Sequence, residues 1–230
     1  TKPVFAGEDE ASLSQAFADI ESAITYISCT YVQITDVLSD NVAVEMDAVS
    51  GAPKLDITVC DANGTEVSST PTYSDGKIQV EFTAPVIKED GNTENKNITV
   101  TARTEENAEG KTQIVLDFPD DYQLNQNWSY MVTATVSATQ AAYDAYAKNG
   151  YTDKGEAGTG TTSEGKDGLF SNDSATLTYQ VSGETKNEPY AKPVIQLTPN
   201  TLTIEKTFKD LDEEQIEALT GLSFEVTLTN

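Results

Sequence analysis

Residue types that could carry catalysis are scarce in this sequence. None of its 230 residues is a histidine, so the usual general base near neutral pH and the commonest metal ligand are both missing. A Ser-His-Asp or Cys-His arrangement is therefore excluded. The glycine-rich stretch at 155–168 lacks the Lys-Ser/Thr ending of a phosphate-binding loop. With 38 acidic side chains, chance pairs of carboxylates are inevitable and do not indicate a glycosidase. We expect no enzymatic activity and no cofactor.

One acidic segment invites a calcium interpretation. Residues 61–66 partly resemble the start of an EF-hand loop, but the bidentate glutamate at the twelfth position is missing. The Asn63-Gly64 pair within this segment is instead a strong hairpin signal. We therefore predict a turn and no metal site.

The two cysteines, Cys29 and Cys60, both fall on predicted strands. Buried free thiols are the default expectation for two unpatterned cysteines. Adjacent strands could also place their Cα atoms within bridging range, so a disulfide between them stays open.

The strong acidity of the chain limits its partners. Acidic residues outnumber basic ones by 38 to 14, which gives a net charge of −24. Nucleic acid and anionic membrane surfaces both require Lys and Arg, so neither is an expected partner. No apolar run approaches the ~20 residues needed to cross a bilayer.

The aromatic residues allow two interpretations. Trp128, Tyr130 and Val132 alternate with Ser129 and Met131, so one set is predicted to point into a core and be largely buried. Alternatively, exposed and coplanar aromatic rings would stack on sugars, as in a carbohydrate-binding module. Core packing is the usual position for tryptophan on such a strand.

The opening of the chain differs in pattern from the rest. Leu13, Phe17, Ile20 and Ile24 recur at helical spacing, which predicts a helix from about 10 to 25. Such a short helix is marginal in water unless its apolar face packs against a partner.

From residue 26 to residue 190 the pattern predicts an all-β, antiparallel sandwich. Short alternating runs are separated by turn residues, including Asn63-Gly64 and Asp75-Gly76. A short helix is predicted over 138–148, where Asn149-Gly150 ends it, and a long loop without regular structure over 151–168. The predicted strands are 31–35, 54–59, 77–82, 97–103, 112–118, 128–136 and 174–181.

After Pro193 the sequence predicts a new start. Residues 191–200 are expected to form a linker, and 201–230 to begin a second β-module with a strand at 202–206. Two strands and a short helical stretch cannot close a sandwich by themselves, so this module is expected to be partial and the chain to be a piece of a longer protein.

Residues 34–40 (ITDVLSD), 171–179 (SNDSATLTY) and 202–208 (LTIEKTF) are three stretches that resemble known motifs. The first two resemble the strand-and-turn motif and the last strand of Cna-type domains, the isopeptide-forming, Ig-like domains of Gram-positive pilins and adhesins. Residues 202–208 (LTIEKTF) resemble the first strand of a CnaB-like module. The opening helix, residues 1–25, resembles the end of a von Willebrand factor A domain. The resemblance implies a CnaA-type sandwich over 26–190, flanked by parts of both neighbours.

The resemblance also implies a chemistry. In such domains a lysine amine attacks the amide of an asparagine beside a buried acid, and the matching residues here are Asn172 and Asp36. No lysine lies between Lys2 and Lys54, so the strand leading into Asp36 supplies no amine. We therefore predict no cross-link within 26–190. Lys206 stands at the bond-forming position of the CnaB-like module, whose other residues would lie beyond the chain end.

The function implied by this resemblance is mechanical. The chain would be a stalk or adhesin module of an extracellular, cell wall-anchored protein, with the anchor outside this chain. Its partners would be neighbouring domains of the same polypeptide, and a host or glycan ligand would bind through a flanking domain. The alternative is a carbohydrate-binding module of an extracellular polysaccharide-degrading system.

Overall fold

The computed structural model describes residues 29–88 and 92–197. All of these residues belong to the first of two compact units, 1–197 and 198–230. The predicted helix over 10–25, the predicted module over 201–230 and Lys206 lie outside the described residues.

The described residues form fourteen strands and one helix. The strands are β1 (Thr30–Leu38), β2 (Val42–Val44), β3 (Leu55–Cys60), β4 (Thr72–Ser74), β5 (Lys77–Ile87), β6 (Thr93–Glu106), β7 (Thr112–Asp117), β8 (Ser129–Ala134), β9 (Val136–Ala138), β10 (Asp153–Lys154), β11 (Asp167–Phe170), β12 (Asn172–Val181), β13 (Glu184–Pro189) and β14 (Val194–Ile195), and the helix is α1 (Gln140–Asn149).

A seven-stranded antiparallel sheet is the main layer of the fold. Its strand order is β13-β12-β1-β7-β6-β5-β4, so the first strand lies in the interior of the sheet, beside a strand from near the end of the described segment. The pairs β3-β8 and β2-β9 and the small sheet β10-β11-β14 complete the β structure of the described ranges. Every pairing between these strands is antiparallel. The predicted all-β, antiparallel class is confirmed.

The hydrophobic core involves the inner face of the large sheet and strand β3. Residues of β5 and β6 alternate between buried and more exposed positions, as expected for a sheet with one face on a core, whereas β7 buries three consecutive residues, 114–116. This alternation places one face of each strand in a single buried cluster. The main members of the cluster are Ile57, Val59, Ile78, Val80, Phe82, Ile98, Val100, Ala102, Ile114, Leu116 and Tyr122.

A cluster of aromatic side chains packs at one part of this core. Tyr122 is 2% exposed, and its hydroxyl lies 2.7 Å from the hydroxyl of Tyr130. Trp128 packs against Phe82 and Tyr130, with ring centroids 6.1 and 6.4 Å apart. The predicted alternation holds, since Ser129 and Met131 are exposed. Trp128, Tyr130 and Val132 form the inward set, and all three are half-buried and pack against the core cluster.

Helix α1 follows the local signals that predicted it. The Thr139 side chain caps its first turn by accepting from the Ala142 backbone N–H, and Gly150 ends it with a φ of 69°. Ala142 is fully buried and packs with Leu169 and Leu197 in a small second cluster. Within residues 29–88 and 92–197, no helix is long and apolar enough to cross a membrane.

The segment 151–168 differs from the loop that the sequence predicted. It contains β10 and the start of β11, and an isolated bridge joins Gly155 to Glu164. Gly155 is buried so tightly that a Cβ there would lie 2.1 Å from the Ser163 carbonyl oxygen. The prediction failed because these contacts are made by backbone groups and leave no apolar period in the sequence.

Strand β14 lies inside the range that the sequence assigned to a linker. It pairs with β11, and Val194 and Leu197 are both buried. The chain is therefore packed onto this unit as far as Leu197.

Candidate functional site

The fold brings together two residues that the sequence singled out, Asp36 and Asn172. They lie on β1 and β12, which are neighbours in the large sheet although 136 residues separate them in the sequence. Asp36 pairs with Ala175, and a register shift after Val37 puts Asn172 opposite Leu38. This irregularity turns the Asn172 side chain toward the side occupied by Asp36.

The two side chains are joined by one hydrogen bond. The Asn172 amide Nδ2 donates to Asp36 Oδ1 over 3.0 Å. Asn172 is only 3% exposed, and its carbonyl Oδ1 is buried with no hydrogen-bond partner among the described residues. An unsatisfied buried carbonyl is rare in folded proteins and costs about 1–3 kcal/mol. The Asn172 Oδ1 atom therefore keeps its full capacity to accept a hydrogen bond.

The Asp36 carboxyl group is partly buried. Burial raises its pKa above the ordinary aspartate value, and the hydrogen bond from Asn172 offsets part of that rise. The cause is desolvation, because a partly dry environment disfavours the charged form.

A cavity of about 280 Å³ opens beside this pair, between β1 and β12 on one side and β8 on the other. Its walls mix apolar and aromatic groups with the two polar side chains. The lining residues are Ile34, Asp36, Tyr130, Met131, Val132, Asn172, Ala175, Tyr190, Ala191 and Pro193. No lysine is among them, and Lys192 lies over the Phe170 ring at 4.1 Å instead.

Among the described residues, the lining of this cavity contains the amide and the acid that the resemblance assigned to a cross-link, but no lysine amine. A protonated Asp36 would polarise the Asn172 carbonyl if the amide rotated to bring Oδ1 against the acid, since the acid would then donate. An attacking amine would have to enter through the cavity. Lys206, the other predicted bond-forming residue, lies outside the described residues.

Cys29 and Cys60 are both free thiols and both half-buried. Burial raises the pKa of the Cys29 thiol, so its nucleophilic thiolate is scarce near neutral pH. The disulfide that the sequence left open is not formed in this structure.

The acidic segment 61–66 forms the predicted turn. Asp61 Oδ1 accepts from the backbone N–H groups of Asn63 and Thr65 over 2.8 and 2.9 Å. These bonds lower the pKa of Asp61, and they occupy the carboxylate locally as in an Asx-turn.

A second cavity, which the sequence interpretation missed, lies at the other end of β1. It has a volume of about 230 Å³, and its lining is mainly polar. The lining residues are Tyr31, Val32, Gln33, Asp117, Phe118, Asp120, Thr178, Gln180 and Thr185.

Tyr31, at this cavity, has an unusual backbone conformation. Its φ is 50°, whereas the other non-glycine residues with positive φ among those described, Asp75, Asn127 and Ser182, lie in turns. A bulky residue in this region is strained by roughly 1–3 kcal/mol. The strain coincides with a bulge, because β1 takes three steps between its pairs with Gln180 and Thr178 while β12 takes two. Alternation alone could not have revealed it.

The cavity floor is ordered by a polar network. Asp117 accepts from Gln33 Nε2 at 2.9 Å and from Arg103 Nη1 at 3.0 Å. Arg103 also donates to Glu105 over 2.6 Å. Arg103 is the single arginine of the sequence. Its planar guanidinium group donates to two carboxylates at once, a geometry that the compact ammonium group of a lysine does not match.

Comparison with known proteins assigns the described segment to one domain family. No curated protein matches this chain. Residues 29–196 match the model of a family described as a domain of unknown function, DUF7604, and the chain therefore belongs to that family.

Proposed function

We propose that this chain is a structural stalk module of a large, extracellular bacterial surface protein, where it holds an adhesive domain away from the cell. The resemblance of residues 34–40 and 171–179 to Cna-type domains supports this assignment. In the same proposal the parent protein is anchored to the cell wall outside this chain, and the direct partners are neighbouring domains of the same polypeptide.

The observation that carries the proposal is the position of the two ends of the described segment. The chain enters β1 at Thr30, which pairs with Gln180. It leaves through β14, whose Val194 pairs with Phe170, two residues before Asn172. Asn172 lies opposite Leu38, at the far end of β1. Entry and exit are therefore separated by the length of a nine-residue strand, roughly 30 Å at ~3.3 Å per residue.

This geometry suits a module under tension. A pull on the two ends would draw β1 and β13 in opposite directions along the strand axis. The ladders of β1 with β12 and of β12 with β13 would then be loaded in shear, so that many hydrogen bonds resist together. The Asp36–Asn172 bond adds a side-chain link between β1 and β12 near the exit.

Single-molecule pulling on the full chain tests the proposal. Attachment at residues 29 and 197 loads the sheet in shear. Attachment at 29 and 183 provides a matched control, because residue 183 lies in the β12–β13 turn beside the entry, so this axis peels β1 from β12 one bond at a time. We expect a several-fold higher unfolding force along the first axis. Equal forces along the two axes would contradict a stalk function.

The alternative class, a carbohydrate-binding module, depended on exposed and coplanar aromatic side chains around Trp128. Trp128 is half-buried and packs on Phe82 and Tyr130. Its ring therefore contributes to the core cluster, and this favours the stalk proposal over a sugar platform at that position.

A further inference from the structure

We propose that the cavity at Tyr31 is a binding site for a neutral saccharide. This site is distinct from Asp36, Asn172 and Trp128, and it does not depend on the stalk proposal. It lies at the entry end of β1, where the core residues Val32 and Phe118 and the outward-facing residues Gln33, Asp117 and Thr178 all contribute to its lining.

The first argument is the arrangement of polar groups. Thr178, Gln33 and Asp117 lie side by side on β12, β1 and β7, as the strand registers show. Val32, the neighbour of Gln33, is buried in the core, so alternation directs Gln33 outward. The row therefore brings a hydroxyl, a carboxamide and a carboxylate into one cavity. The second N–H of Gln33 Nε2 and the oxygen lone pairs remain to bind the vicinal hydroxyls of a sugar.

The second argument is preorganisation. Two donors fix Asp117, as described above, and Thr178 Oγ1 donates to Asn187 Oδ1 over 2.8 Å. Side chains that are already held lose little conformational entropy when a ligand binds. Gln180 and Thr185 stand beside this row and line the same cavity.

The third argument is the conformation of Tyr31. Its side chain is 50% exposed, so packing in the core does not explain its strained backbone. A bulge commonly re-aims a side chain next to a binding site. The phenol ring offers an apolar face with a polar tip, which suits a sugar ring that has C–H groups on one face and hydroxyls at its edge.

Charge selects a neutral ligand. The chain carries a net charge of −24, and two acidic residues, Asp117 and Asp120, line the cavity. Arg103 compensates Asp117 from within the sheet. The carboxylate of an acidic sugar would therefore be repelled by the negative charge of the protein. A neutral sugar would replace its hydrogen bonds to water with hydrogen bonds to the protein without such repulsion.

The experiment is an NMR titration of the full chain, labelled with ¹⁵N, using lactose, N-acetyllactosamine, maltotriose, cellotriose and chitotriose as probes. Each sugar is added to about 10 mM, which exceeds a millimolar Kd about tenfold. We expect at least one neutral sugar to give saturable shifts at the amides of Tyr31, Gln33 and Thr178. Sialyllactose, which is lactose carrying an acid, should bind more weakly than lactose.

Tyr31→Gly separates binding from folding. Glycine accepts a positive φ without strain, so this variant should keep or raise the melting temperature while its affinity falls by about tenfold or more. Tyr73→Gly is a control, because Tyr73 is similarly exposed but lies on β4, at the far edge of the sheet. Absence of shifts with every neutral sugar, or binding that survives Tyr31→Gly, would overturn the proposal.

Discussion

The Asn172 amide donates to Asp36 across the β1–β12 pair over 3.0 Å, while the carbonyl of the same side chain is buried without a partner among the described residues. The pair therefore combines a half-satisfied amide with an acid whose pKa burial has raised. Both properties have measurable consequences for stability.

The raised pKa of Asp36 predicts a negative slope of stability with pH. An acid whose pKa is higher in the folded state holds more protons when folded, so its contribution to stability falls as pH rises from the unfolded value of about 3.9 through the raised folded value. Asp36→Asn removes this titration and keeps an acceptor for Asn172. We expect the variant to be more stable than the wild type at pH 7, with a gap that narrows toward pH ~4. Urea unfolding at several pH values, followed by the fluorescence of the single tryptophan, measures the gap.

Asp47 provides a control of opposite sign. Hydrogen bonds from the Ser50 and Val49 groups lower its pKa. The stabilisation of the fold by ionised Asp47 is therefore fully present above the pKa that Asp47 has in the unfolded chain. It is lost as the pH falls through the lower pKa that Asp47 has in the folded protein. Asp47→Asn should cost stability at neutral pH and little in acid. If both variants changed stability in the same direction with pH, the account given for Asp36 would be wrong.

Removal of the Asn172 amide should destabilise the fold. In Asn172→Ala, Asp36 loses its donor inside a partly dry environment, and a small void opens beside it. We expect a loss of about 1–3 kcal/mol in the free energy of unfolding. Ser174→Ala, on the same strand but at an exposed position, should stay within about 0.5 kcal/mol of the wild type. Equal effects of the two changes would mean that the Asp36–Asn172 bond contributes nothing.

The lack of a lysine in the strand leading into Asp36 predicts that no cross-link forms within residues 26–190. No lysine lines the cavity beside Asn172 among the described residues. The intact mass of the purified chain should therefore equal the sum of its residues, because each Lys–Asn bond would remove one ammonia. A mass lower by one ammonia and mapped to Asn172 would contradict this prediction and point to Lys2 or a later lysine as the donor.

Gly155 should tolerate no side chain. A Cβ at this position would lie 2.1 Å from the Ser163 backbone oxygen, which cannot move without opening the 155–164 bridge. In Gly155→Ala we expect faster hydrogen exchange at Gly165 and Lys166, whose backbones bond to Gly155 and Ser163. Gly110→Ala is the control, since a Cβ there meets nothing within 4 Å although its φ of 77° is unfavourable. If exchange in the segment stayed unchanged in Gly155→Ala, the segment would not be tightly packed.

Local features of the fold could be predicted because their signals lie within a few residues of each other. The alternation of residues 77–82 indicated β5, and Asp75-Gly76 indicated its turn, where both residues have a positive φ. Asn149-Gly150 marked the end of α1. In each case a period of two or a left-handed turn constrains the neighbouring backbone directly, and no distant contact is needed.

The sequence by itself therefore determined the all-β class, most of the strands of the large sheet, and the absence of histidine chemistry. Only the tertiary structure decided that Asp36 meets Asn172, that β14 closes onto β11, and that Tyr31 is strained beside a polar cavity. Resemblance had linked Asp36 with Asn172, but their contact depends on a register between strands far apart in the chain. A one-residue shift or bulge between β1 and β12 reverses which side chains face inward. The register between these strands is therefore set by the packing of the whole sheet and not by any local sequence pattern.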